Sequence, residues 1–209
     1  MTDAFLAGIL MTLKVSALSM LLAMAIGLPL AFLRMSKRFI PREAGVIYIE
    51  ISRGIPILVL IFWVYYGIPI LTGFALSGFI SGVMAMTMKY AGYLAEIFRA
   101  GIEAIKTGQK EAAFALGFSK AQSLRRIVLP QAFRIIIPPT GSAFVGALQD
   151  SALVSIIGVN DLMRQAQLEV AYLYRPFEVY TAVALLYLAM TISFSRINDY
   201  IERKKMVIG

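Results

Sequence analysis

Residues Gly54–Met88 read GIPILVLIFWVYYGIPILTGFALSGFISGVMAMTM, thirty-five positions without a charge. About 20 apolar residues suffice to cross the hydrocarbon core of a bilayer, so a single helix of this length would overshoot it. The run must therefore hold parts of two spans and a break between them. Gly67-Ile68-Pro69 and Thr72-Gly73 place that break, because Pro and Gly interrupt helices and favour turns. Outward from this run, Val15–Leu33 and Val179–Ser195 are uncharged as well. Of the 209 residues, 59% are hydrophobic and 15% charged, and the mean hydropathy is +0.77. A soluble domain is typically about 25% charged. The chain reads as a multi-spanning helical membrane protein.

Five spans fit the pattern, near Ala4–Leu33, Ala44–Pro69, Leu76–Ile105, Pro130–Gly158 and Phe177–Arg196, in a single membrane domain over 1–209. The opening Met1-Thr2-Asp3-Ala4 has no basic n-region, so the first apolar stretch is expected to be a retained helix rather than a signal peptide. The loop Arg34–Arg42 carries four positive charges, and the loop near residue 70 carries none. Arg99–Arg126 holds six Lys/Arg, Val159–Glu178 only Arg164 and Arg175, and the chain ends in Arg203-Lys204-Lys205 before a short tail. This alternation predicts the N-terminus outside and the C-terminus in the cytoplasm. It also gives the net charge of +8 a membrane explanation, with no nucleic acid needed. Gly78 and Gly82 form a GxxxG pair, read as ordinary close helix packing. Residues 161–174 are polar enough for a short helix on the outer surface, where an external partner could touch it.

No cysteine and no histidine are present. Disulfides, thiolate chemistry, His-ligated zinc and Ser–His or Cys–His nucleophile pairs are therefore absent from the repertoire. No GxxxxGK[ST] phosphate loop occurs either, so the chain carries no ATP site of that kind.

The longest polar segment, about 106–126 and on the predicted cytoplasmic side, runs KTGQKEAAFALGFSKAQSLRRIVLP from Lys106 to Pro130. Gln109–Leu116 are good helix formers, and Gly117 can end that helix as a C-terminal glycine. Ser119 and Gln122 have the spacing of a capping box for a second helix. Ala112, Ala113 and Ala115 give the first helix a thin surface for a partner's groove, with Phe114, Leu116 and Phe118 as apolar anchors. An amphipathic helix resting on lipid headgroups is the alternative reading of the same residues.

Glu111-Ala112-Ala113, then Gly117, then Ile127-Val128-Leu129-Pro130 resemble the EAA signature of ABC-importer permeases. Glu50-Ile51-Ser52-Arg53-Gly54-Ile55-Pro56, Tyr93–Ile102 and Asp150–Gly158 are similar to blocks of the polar amino acid permeases within that group. The resemblance covers nearly the whole chain and implies an all-α type I importer membrane subunit with five spans. It implies a bacterial inner-membrane location, cytoplasmic ABC ATPase subunits that bind ATP and Mg, a second permease subunit (identical or homologous) and an extracytoplasmic amino-acid-binding protein. It also implies that Glu111, Ala112, Ala113, Leu116 and Gly117 form the coupling helix, and that the chain has no catalytic residues, metal or cofactor of its own.

Ionisable residues at membrane depth are functional candidates. Lys89, Tyr93 and Glu96 share a helix face by spacing, and Gln149, Asp150 and Ser151 fall in the fourth span. Relatives commonly resemble L-K-D/E-S where this chain has Leu148-Gln149-Asp150-Ser151, and a small or amide residue where it has Lys89. Lys89 is therefore expected to face Asp150 across the pore. Glu50 and Arg53 are candidates for an inner gate or for headgroup anchoring. Three rival functions stand beside this one: a secondary transporter or channel using Lys89, Glu96 and Asp150; an embedded enzyme with Ser151 as nucleophile and Lys89 as base; and an ABC permease for another small solute.

Overall fold

The computed structural model describes residues 2–206, apart from the side chains of Thr2, Lys110, Lys205 and Met206. Among the described residues every regular element is helical. Helix α1 (Thr2–Arg34) is followed by α2 (Phe39–Gly54), α3 (Ile57–Phe62), a π-turn (Trp63–Gly67) and α4 (Ile68–Thr72). Then come α5 (Gly78–Glu103), α6 (Thr107–Ala115), α7 (Lys120–Ser123), a second π-turn (Leu124–Val128) and α8 (Leu129–Asp150). A 3₁₀ helix (Ser151–Ile157), α9 (Leu162–Leu173) and α10 (Pro176–Met206) complete the chain.

Among the described residues, three segments are long and apolar enough to cross a membrane: Asp3–Arg34, Lys120–Ile157 and Pro176–Lys204. A bent pair, Phe39–Gly54 with Ile57–Thr72, passes the same test jointly and adds a fourth if the pair is one broken span rather than a re-entrant loop. Helix α5 is missing from that set for a physical reason. It is the central helix, packed between α1, α2, α3 and α8, and its buried positions are dominated by small residues: Ser81, Gly82, Ala85, Ala91, Gly92, Ala95 and Gly101. Close packing, rather than lipid contact, has shaped its sequence.

The second span differs from the expected Ala44–Pro69. It does not run straight through; α2 and α3 meet at a bend of 104° across Ile55-Pro56. Ile55 is extended (φ −83°, ψ 130°), as the residue before a proline prefers. At Gly67-Ile68-Pro69, one of the two expected break points, the chain stays helical, with Gly67 closing a π-turn and Ile68-Pro69 opening α4; at the other, Thr72-Gly73, it leaves the helix, Gly73 being left-handed (φ 75°). Both π-turns end two residues before a proline, Pro69 and Pro130. Proline's ring crowds the carbonyl four residues back and offers it no N–H, and a widened i→i+5 turn relieves that conflict. The bonds Ile68 N–H to Trp63 O and Leu129 N–H to Leu124 O close the two turns.

Small residues set the helix crossings. Gly78 lies on the Ile157 carbonyl, where an added Cβ would sit 2.5 Å away, and Gly82 lies on Val154. The GxxxG pair thus packs within the chain, against the 3₁₀ helix, as expected of ordinary packing. Gly92 leaves room for Ser52 of α2, and Gly141 of α8 for Asn198 of α10, whose amide donates to the Pro138 carbonyl at 3.0 Å. The fourth span ends not as α-helix but as the seven-residue 3₁₀ stretch, stopped by Gly158 (φ 81°).

Candidate translocation cleft and coupling segment

The coupling segment forms as its residue types dictate. Helix α6 ends in a Schellman motif: Phe118 N–H bonds the Ala113 carbonyl and Gly117 N–H the Phe114 carbonyl, each at 3.0 Å. Gly117 has φ 82°, the left-handed conformation that costs an L-residue about 1–2 kcal/mol. Ser119 and Gln122 complete the capping box, with Ser119 N–H donating to Gln122 Oε1 (2.8 Å) and Gln122 N–H to Ser119 Oγ (3.3 Å). From that cap a helix runs from Lys120 to Ile157, interrupted by the π-turn and ending in the 3₁₀ stretch, about 60 Å at 1.5 Å per residue to Asp150 and about 2 Å per residue beyond it. Glu111, Ala112, Phe114 and Leu116 are exposed, Leu116 at 75%. Ala113 is not: at 1% exposure it anchors α6 to its own chain, so the expected outward face loses that alanine.

A cleft of about 370 Å³ gathers Arg53 from α2, Tyr93, Glu96 and Arg99 from α5, and Ile135 and Pro139 from α8. Glu96 is held between two arginines. Its Oε1 is 2.8 Å from Arg34 Nε, too poorly aligned for a hydrogen bond, and its Oε2 accepts from Arg99 at 2.8 Å. Arg99 also bonds Glu103. Arg34, counted in the sequence as a loop charge, therefore reaches back to tie α1 to α5. Glu50 is exposed and, among the described residues, forms no ion pair with Arg53.

Lys89 and Asp150 do not pair. The Lys89 ammonium donates to the Ile55 carbonyl at 3.1 Å, at the C-terminal end of α2 where the helix dipole favours a cation. It also lies 5.6 Å from the Tyr93 ring centroid, and the Arg53 guanidinium lies 5.3 Å from the same centroid. Asp150 instead accepts from Tyr90 Oη at 2.9 Å, across a gap kept open by Gly146. The expected Lys89–Asp150 contact is thus replaced by an aromatic link, with the Tyr90 and Tyr93 rings 6.0 Å apart. Tyrosine 90 was invisible to a search for charges; its position one residue after Lys89 was the available signal.

Two more candidates lie elsewhere. Ser151 is fully buried and its hydroxyl donates to the Leu148 carbonyl at 2.7 Å, so it neither faces the cleft nor meets Lys89 as a nucleophile would meet its base. Gln149 opens into a different pocket of about 430 Å³, lined by Met163, Tyr180 and Tyr187 among others. The sequence also concealed Asp161. It caps α9, accepting from Arg164 N–H at 2.9 Å, is fully buried, and has its carboxyl pushed up to about 6 by that burial. Tyr187 of α10 donates to it at 3.4 Å, while Thr12 of α1 accepts from the neighbouring Leu162 N–H at 3.2 Å.

Comparison with known proteins gives this geometry its context. The chain is 37% identical over 194 residues to the probable amino-acid permease protein YxeN of Bacillus subtilis, covering 92% of this chain and 87% of that one. It is 33% identical to the glutamine transport system permease protein GlnP of Escherichia coli, covering 96% and 92%. Among solved structures, an amino acid ABC transporter crystallised with histidines matches with a TM-score of 0.92 at 38% identity, over 97% of this chain and 94% of that one. The inward-facing methionine ABC transporter MetNI shares the fold, with a TM-score of 0.85 at 22% identity over 98% and 97%. The family described as "Binding-protein-dependent transport system inner membrane component" matches residues 20–207. The chain belongs to that family of ABC transporter permeases.

Proposed function

We propose that this chain is the membrane-spanning permease subunit of an ATP-driven importer of a polar amino acid. The observation that carries the reading is α6: an exposed helix fixed by the Gly117 turn, joined directly to α5 on one side and to the 38-residue Lys120–Ile157 segment on the other. Relatives named as amino-acid and glutamine permeases, with one solved amino acid transporter, support the substrate class.

In this reading five spans cross the bacterial inner membrane: α1, the broken α2–α4 span, α5, α8 with its 3₁₀ extension, and α10. The N-terminus lies outside and the C-terminus in the cytoplasm, following the charge alternation of the loops. ATP and Mg are bound by cytoplasmic ATPase subunits that receive α6 through Glu111, Ala112, Phe114 and Leu116. A second permease subunit completes the pathway, and an extracytoplasmic amino-acid-binding protein delivers solute near α9. When the ATPase subunits close, they displace α6, and the long helix behind it carries the movement to the cleft at Arg53, Tyr93 and Glu96. Rigid segments rocking about a midplane site give alternating access.

The test is reconstitution with the ATPase and second permease subunits. Glu111→Lys is expected to abolish ATP-driven uptake while membrane insertion stays intact. Uptake that survives ATP depletion but fails without an ion gradient would establish secondary transport instead.

A further inference from the structure

Two cations in the cleft region lack an anionic partner. Lys89 and Arg53 both lie against the Tyr93 ring, which puts their charged groups within about 11 Å of each other. Each cation is within cation–π range of the ring. Lys89 uses one N–H on the Ile55 carbonyl and has two left; among the described residues, neither cation has a carboxylate within 4.0 Å. The nearby acids are engaged elsewhere: Glu96 with Arg34 and Arg99, Asp150 with Tyr90. Glu50, one turn before Arg53 on α2, is exposed and unpaired with it.

Two positive charges without an acidic partner, one exposed and one half-buried, attract an anion, and an anion lying between them would interact with both. An aromatic ring and a helix C-terminus offset only part of that charge. The site is also open. Arg53 is exposed, Tyr93 is 36% exposed, and Arg53 and Tyr93 line the 370 Å³ cleft. Small residues keep the backbone close around it: Gly92, next to Tyr93, receives Ser52, next to Arg53, so the two helices cannot drift apart without losing that contact.

The geometry points to Lys89 and Arg53, positioned by Tyr93, as the subsite that holds the α-carboxylate of the transported amino acid. This gives Arg53 a solute contact rather than a gate or headgroup role, and it rests on the amino-acid reading above. The 104° break of the second span belongs to the same device, since it exposes the Ile55 carbonyl that orients Lys89.

The test separates the two readings. Common L-amino acids, radiolabelled, are offered to proteoliposomes holding the complete complex with its binding protein. Uptake of none of them sinks both the amino-acid reading and this subsite. For the amino acid taken up best, binding to the complex in nanodiscs without binding protein is measured by equilibrium dialysis, with the same amino acid's α-amide as competitor. The amide keeps the side chain and the amino group, and it replaces the charged two-oxygen acceptor with a neutral group of one acceptor oxygen and an NH2 donor. It is expected to compete roughly ten- to hundredfold more weakly, the scale of a charge-assisted hydrogen bond. Lys89→Gln and Arg53→Gln should weaken the acid by similar factors and leave the amide where it was, and Lys89→Arg should retain the preference. An amide as good as the acid, or a variant that binds the acid like wild type, overturns the subsite while the transport reading stands. Wild type indifferent to the amide, with assembly lost in Lys89→Gln, would assign these cations to a carboxylate of the second permease subunit.

Discussion

Gly117 offers a perturbation whose size can be worked out beforehand. Its φ of 82° is left-handed, and an added Cβ would meet no atom within 4 Å. The cost of replacing it is therefore conformational and not steric, about 1–2 kcal/mol for most L-residues. Asparagine tolerates this conformation better, and a β-branched residue worst. A penalty of that size lowers the population of the intact α6 cap by about 5- to 30-fold if the turn can open locally, because it competes with only two cap hydrogen bonds worth about 1 kcal/mol each. ATP-driven uptake by the reconstituted complex should then fall in the order Gly, Asn, Ala, Val at position 117, with binding of the ATPase subunit falling in parallel. Gly117→Asp has asparagine's tolerance of the turn, so the loss of uptake expected of it, with membrane insertion intact, comes from placing a charge in the ATPase contact. Equal activity of Gly117→Val and wild type would refute the argument. Equal loss in Asn and Val would show that the partner's surface excludes any side chain, and that backbone conformation is not what matters.

Other expectations follow from the same physics. Asp161 has a folded-state pKa of about 6 against an ordinary 3.8, so the folded chain holds this proton more tightly than the unfolded one. Its contribution to stability is complete below about pH 4 and falls as pH rises through 6, by a total of about 2–3 kcal/mol. Asp161→Asn keeps an acceptor for the Arg164 N–H and should gain on wild type in thermal midpoint as pH rises from 4 to 8; a gap that narrows would contradict the burial argument. Gly92→Ala should destabilise by about 1–3 kcal/mol through overpacking against Ser52, and Ser52→Ala should restore most of it, since contacts of 3.2 Å to the Ser52 Cβ and 3.5 Å to the Arg53 Cγ are then the closest that remain. Glu96→Gln should lower the thermal midpoint more than Glu103→Gln, because Glu96 is the more enclosed carboxylate, at 18% against 49% side-chain exposure, and strands two arginines when removed.

Local chemistry proved the most legible part of the sequence. The Gly117 stop, the Ser119–Gln122 box and the α9 helix were all readable because each depends on a few adjacent residues with strong conformational preferences. The spans were readable as apolar mass but not as shape. Pro56 carried the signal for the bend, yet the apolar run on either side of it resembled one continuous helix. Pro69 carried the same signal in a place where a π-turn absorbs it. Partner choice was the least legible: Lys89 and Asp150 are complementary in charge, but Tyr90 reaches Asp150 first and the Ile55 carbonyl reaches Lys89. Arg34 joins Glu96 across sixty-two positions of sequence, and only the packing of α1 on α5 could reveal that pair.

The π-turn at Leu124–Val128 has a further consequence for how this chain can vary in length. Such a turn is an α-helix carrying one surplus residue, and the faces upstream and downstream keep the alignment of a helix without it. Loss of one residue within the turn would leave an ordinary helix, with α6 and α8 still pointing as they do now. Loss of one residue on either side of it would rotate α6 against α8 by about 100°. The π-turn between α7 and α8 is therefore a point on this helix where a residue can be lost without turning one part against the other.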